Sequence, residues 1–157
     1  MAKWIIATVM LILGIGFYFY TPDDRPTFEH AEAMVKEAID CFEKEGPEKV
    51  IAEVNTHRPC RWNKGALYLF AYQVEPRGYM IAHAANPELV RKNLYDLTDP
   101  DGKHFVKEYL DIAIGTGHSE VPFRWPNPVT KKIENKIGVC RLTKDKKYVI
   151  CSGVYSK

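Results

Sequence analysis

Tyr79-Met80-Ile81-Ala82-His83-Ala84-Ala85-Asn86-Pro87 opens the stretch that organises this chain, and Phe123-Arg124-Trp125-Pro126-Asn127-Pro128 closes it. Between them lie Lys92-Asn93-Leu94, the turn Asp99-Pro100-Asp101-Gly102-Lys103 and a helical stripe of Phe105, Val106, Tyr109, Leu110, Ala113 and Ile114. Gly115 and Gly117 stop that stripe. A plain core has no need of His83, Asn86, Lys92, Arg124 and Trp125 spaced along connections. The stretch reads as the wall and lid of a small-molecule pocket, with a sheet strand at each end.

The segments outside it supply the rest of a domain. Thr27 is an N-cap for a helix in which Phe28, Ala31, Met34, Val35, Ala38, Ile39 and Phe42 recur at helical spacing. Glu45-Gly46-Pro47 ends that helix and starts a second, lined by Val50, Ile51 and Val54. Asn55 to Lys64 reads as a polar loop. Ala66 to Tyr72 and Tyr79 to His83 read as strands about the turn Glu75-Pro76-Arg77-Gly78. Asn86 caps a short helix opened by Pro87. Glu120 to Trp125 is a strand with Val121, Phe123 and Trp125 on one face, and Ile133 to Leu142 and Tyr148 to Tyr155 form a hairpin. This order predicts an α+β domain with a five-stranded antiparallel sheet.

The chain's 157 residues suffice for one domain with a real core. A net charge of +2 argues against nucleic acid as a partner. There is no Walker loop, GxGxxG, G-x-S-x-G or H-E-x-x-H, and the four cysteines have no C-x-x-C spacing, so neither a cofactor nor a metal is expected. If the last hairpin turns about Asp145-Lys146, Cys140 stands opposite Cys151, close enough for a disulfide or for two buried thiols on one face. Cys41 and Cys60 would then pair by elimination.

Trp4 to Tyr20 is an uncharged run of 17 residues, about 25 Å as a helix, enough to cross a bilayer. Lys3 precedes it and Asp23 and Asp24 follow, which sends the remainder outside the cytoplasm. Residues 1–23 read as a signal anchor or a signal peptide, and residues 24–157 as an extracytoplasmic domain. Trp4 and the Phe17-Tyr18-Phe19-Tyr20 cluster suit an anchor, and Gly14-x-Gly16 is a poor cleavage site.

Asn86-Pro87-Glu88-Leu89-Val90-Arg91-Lys92-Asn93-Leu94, followed by Asp99-Pro100-Asp101-Gly102-Lys103-His104-Phe105-Val106, resembles a single Cache domain of the second type. Gly117, Phe123 to Pro128, Lys136 and Ser152-Gly153-Val154-Tyr155 extend the resemblance over about residues 28–157. It implies a PAS-like sheet behind a long N-terminal helix, and a pocket for small organic ligands, often short carboxylates. It also implies a sensory role in signal transduction and a signalling partner, here with no output domain after Lys157. The pattern implies Gly where Arg91 stands, an aromatic at Glu120 and a tyrosine at Phe123. A carboxylate at Glu120 near the pocket would repel an anion.

A carboxylate in a buried pocket needs charged donors and an aromatic wall. Arg124 and Lys136 are the donors expected, each weighed against a surface charge on a buried stem. Tyr68, Phe70 and Tyr72 alternate onto one face, as core or as wall; Tyr68 and Phe70, with Phe123 and Trp125, are taken as wall or lid. His83 is a satisfied structural histidine or a ligand donor. Two other functions compete with ligand sensing. One is an enzyme built on His83, Glu120 and Cys140 as a nucleophile and base set. The other is a structural or partner-binding domain with a filled pocket.

Overall fold

The structure, a computed structural model, describes residues 25–156. The apolar run Trp4 to Tyr20 lies outside the described residues. Among the described residues no helix is long and apolar enough to cross a membrane.

Helix α1 (Phe28–Glu45) begins at Thr27, whose side chain forms a capping box with His30. Gly46, at φ 89°, ends it, and Pro47 opens α2 (Pro47–Val54). A two-residue ribbon, β1 (Asn63–Lys64) with β2 (Leu67–Tyr68), lies within the expected polar loop and the start of the first strand. The predicted strand from Ala66 to Tyr72 is therefore two pieces, β2 and β3 (Phe70–Gln73), broken at Leu69, whose N–H bonds the Trp62 carbonyl.

Strands β4 (Met80–His83), β5 (His118–Pro126), β6 (Ile133–Leu142) and β7 (Tyr148–Ser156) join β3 in one antiparallel sheet of order β4-β3-β7-β6-β5. The hairpin register sets Cys140 against Cys151, and the two form a disulfide. Cys41 and Cys60 do not pair: both are free thiols, and Arg61 Nη1 donates to Cys41 Sγ at 3.6 Å.

The sheet is covered on both faces, so its central strands bury successive residues. Helix α1 lies across β7 and β6, with Ala31, Met34, Val35, Ala38 and Phe42 turned inward. Ser152, on that face, donates to Met34 Sδ and to the Tyr68 carbonyl. Helix α3 (Phe105–Thr116), stopped by Gly117 at φ 89°, packs on the other face against β5, and Ser119 donates to the Tyr109 carbonyl. The edge strand β4 is protected from both sides. Asn55 clamps Ile81 and His83, and the segment from Arg91 to Leu94 bonds Met80 and Gly78. Arg91 takes φ 67°, the left-handed conformation that glycine adopts freely, at the position where the resemblance implies glycine. Its side chain is exposed, so the departure costs backbone strain and leaves the interior untouched.

Candidate functional site

Strand alternation decides which side chains meet. On β5, Val121 and Phe123 face α3, and Lys136 on β6 lies directly across from Phe123. On β7 the same face carries Cys151, Gly153 and Tyr155. Tyr68, Phe70, Tyr72, Met80 and His83 bring the first strands to that face. The covering layer supplies Leu89, Leu94, Leu97, Phe105 and Tyr109. Together with Trp125 they enclose a cavity in which about 20 Å³ is open to the centre of a water molecule, room for about one water.

Lys136 is 1% exposed, and its Nζ lies 3.8 Å from the centre of the Tyr68 ring, 4.8 Å from Tyr155 and 5.2 Å from Phe70. Among the described residues no carboxylate pairs with it. Cation–π attraction offers about 2 kcal/mol to a desolvated ammonium, against several kcal/mol lost in leaving water. Burial therefore holds the Lys136 amine well below the usual lysine range. The lysine fits because the strands beside and around it carry glycine. A Cβ on Gly153 would stand 2.7 Å from Lys136 Cε, and one on Gly138 would stand 2.9 Å from the Phe123 ring.

His83 does two jobs. Its Nδ1 accepts from the backbone N–H groups of Asn86 at 2.9 Å and Ala85 at 3.2 Å, which leaves Nε2 as the N–H donor. Burial, and then repulsion from Lys136 whenever that amine carries a proton, pushes its pKa down to about 3, so the ring is neutral. It stacks on Phe70. Tyr72 and Tyr109 share one hydrogen bond between their hydroxyls, leaving one O–H of the pair without an acceptor in that bond. Burial raises both phenols, so they stay protonated. Tyr155 donates to the Pro126 carbonyl, so Tyr68 donates to Tyr155. The polar groups on this cavity are thus an amine, an imidazole N–H and phenols, set among apolar walls. Such a set complements an oxyanion.

Six of the seven residues expected at the site line this cavity: Tyr68, Phe70, His83, Phe123, Trp125 and Lys136. Arg124 does not. It sits between Phe123 and Trp125 on an alternating strand, so its side chain leaves by the α1 face, where it pairs with Asp101 at 3.1 Å. Glu120 also points away, which removes the expected repulsion of an anion. It joins Glu32 and His118 on the α1 face, where Arg141 holds the other Glu32 oxygen at 2.6 Å. Nor can His83, Glu120 and Cys140 form a nucleophile set: Cys140 is disulfide-bonded and Glu120 is on the opposite face.

Tyr109 and the glycines at 138 and 153 were missed as parts of the site, and Tyr72, weighed as core or wall, was not given a polar role there. Tyr72 and Tyr109 were visible only as members of apolar stripes. No local signal marks a glycine that makes room for a lysine on the neighbouring strand. Asp99 stands in the sequence as a turn residue and as part of the motif that carries the resemblance, with no bonding role assigned to it. Its carboxylate, buried yet held below the usual range by backbone N–H groups, accepts from Asp101 and Lys103 in its own turn and from Arg124 on β5. It thereby ties the entry to α3 to the wall strand.

A family model described as Cache domain matches residues 27–157. The chain belongs to the Cache domain family. The methyl-accepting chemotaxis protein McpP of Pseudomonas putida is 36% identical over 76 residues, 48% of this chain and 14% of that protein. The chain thus spans a small part of the length of that curated relative. A methyl-accepting chemotaxis protein from Vibrio parahaemolyticus has a similar solved structure, with TM-score 0.66, 22% identity, and 81% of this chain and 86% of that one covered. A structure described as the basis for carboxylic acid recognition by a Cache chemosensory domain gives TM-score 0.65 at 22% identity, covering 82% and 92%. A periplasmic sensor domain of a chemotaxis protein gives 0.62 at 24% identity, covering 82% and 90%.

Proposed function

We propose that this Cache domain senses a short organic anion, a carboxylate of two or three carbons, outside the cytoplasmic membrane. Lys136 supplies the charge. His83 Nε2–H and an O–H of the Tyr72–Tyr109 pair supply neutral donors. Tyr68, Phe70, Phe123 and Trp125 exclude water. The observation that carries this reading is a buried lysine with no carboxylate partner among the described residues, beside a cavity whose polar groups can donate. A carboxylate entering there provides the missing counter-charge. The carboxylic acid recognition described for one similar structure supports the class.

The ligand is larger than the present cavity, so binding displaces part of its wall. Trp125, Leu89 and Leu97 are the partly exposed members and would be the ones displaced. Their displacement is what a signalling partner would read. The apolar run Trp4 to Tyr20 would fix the domain to the membrane. The tightness of the cavity is the observation favouring a second reading, a filled structural domain.

A stability scan against formate, acetate, propionate, succinate and short amines separates the two. Stabilisation by monocarboxylates, and none by amines, is the expected result. No shift with any small anion would leave the structural reading standing.

A further inference from the structure

Resting on that reading, we propose that binding is coupled to protonation: Lys136 is a neutral amine in the closed cavity and becomes an ammonium when the anion enters. The geometry requires a choice. The amine is enclosed by Tyr68 from β2, Phe70 from β3 and Tyr155 from β7, and the cavity has room for about one water. The titratable groups around the cavity are His83 from β4, Tyr68 from β2, Tyr72 from β3, Tyr155 from β7 and Tyr109 from α3. Among the described residues none of these is an acid that could neutralise an ammonium. His83 is held neutral with its proton on Nε2, and the phenols keep theirs.

An unpaired ammonium in such a place gives up its proton. An incoming carboxylate changes the balance, because the ion pair it makes is desolvated and hydrogen-bonded. The step is a carboxylate anion plus one proton from solvent plus the amine, giving a carboxylate–ammonium pair. Affinity should then weaken by about tenfold for each unit rise in pH wherever the empty site is neutral and the ligand is ionised. The same domain would report acidity and ligand together.

The test has two arms on the full chain. With carbon-13 at lysine Cε, the ligand-free protein is titrated by NMR, Lys136 being assigned by its loss in Lys136→Met and Lys136→Arg. One resonance in the neutral-amine position at pH 8, while the other lysines are charged, is expected. All lysines titrating together in the alkaline range overturns the proposal. In the second arm, sodium acetate is titrated calorimetrically at pH 8 in phosphate and in Tris. A heat difference equivalent to about one proton taken up per site is expected. Binding with equal heats overturns the coupling and leaves the anion site standing. No heat with acetate, formate or propionate overturns the anion site as well, and the absent signal tells the two failures apart.

Discussion

Lys136 Cε occupies space that a Cβ on Gly153 would reach to within 2.7 Å, so the bare backbone of β7 is what lets the buried lysine of β6 lie over it. That Cβ would also meet the Ile137 carbonyl at 2.6 Å. Gly153→Ala should therefore cost about 1–3 kcal/mol in urea unfolding and weaken acetate binding by displacing Lys136. Gly115→Ala, where nothing lies within 4 Å, is the control; it should be neutral or stabilising by up to about 1 kcal/mol. An undisturbed Gly153→Ala protein would remove the packing argument.

Lys136→Met should separate binding from stability. Unfolded, the lysine titrates near 10.4; folded, burial lowers it. Between the two values the unfolded chain holds the extra proton, so ligand-free stability falls as the pH drops from about 10. The methionine variant should lose that dependence and gain roughly 1–3 kcal/mol at neutral pH. It should also lose the ligand effect, about 2.7 kcal/mol at a hundredfold excess over Kd. Unfolding curves with and without acetate at three pH values measure both, and a retained acetate effect would reject Lys136 as the anion's partner.

Arg124→Ala is expected to leave acetate binding unchanged. Its ion pair with Asp101 is exposed and worth about 0–1 kcal/mol. Asp99→Ala should cost more, roughly 2–3 kcal/mol, because three backbone N–H groups lose their acceptor. If Arg124→Ala abolished binding, the ligand would be on the α1 face.

Acid should destabilise the fold through His83. Its folded pKa of about 3 lies below the 6.5 of a free imidazole, so the unfolded chain binds the proton first. Stability should fall as the pH drops from about 6.5 towards 3. Carboxylates contribute in the same range, so the measurement is the difference between wild type and His83→Gln. The variant's curve should be the flatter one, and parallel curves would refute the buried neutral imidazole.

Thiol titration of the denatured, unreduced protein should find two cysteines, Cys41 and Cys60, and four after reduction. Cys140→Ala with Cys151→Ala should lower stability by about 2–3 kcal/mol for so short a loop. Four thiols before reduction would contradict the hairpin bond.

Much of the architecture was legible because it is written locally. Thr27, Gly46-Pro47 and Gly117 bound their helices through backbone geometry that neighbouring residues alone dictate. The turn about Asp145-Lys146 fixed the register that sets Cys140 against Cys151. The same alternation that puts Val121, Phe123 and Trp125 on one face also excludes Arg124 from it, a consequence already present in the sequence. Tyr68, Phe70 and Tyr72 were visible as a stripe.

What covers each face was not written there. A strand's pattern gives the relative facing of its side chains, but which face meets α1 and which meets α3 depends on how distant segments pack. That packing turned Glu120 outward and left Cys41 and Cys60 as free thiols. It also enclosed Lys136 among three rings with His83 alongside. The sequence by itself determined most of the elements, the sheet's register at its hairpin and six of the side chains that line the cavity. Only the tertiary structure decided which of those residues meet, because burial, and with it the state of a charge, is a property of the surroundings and not of the residue.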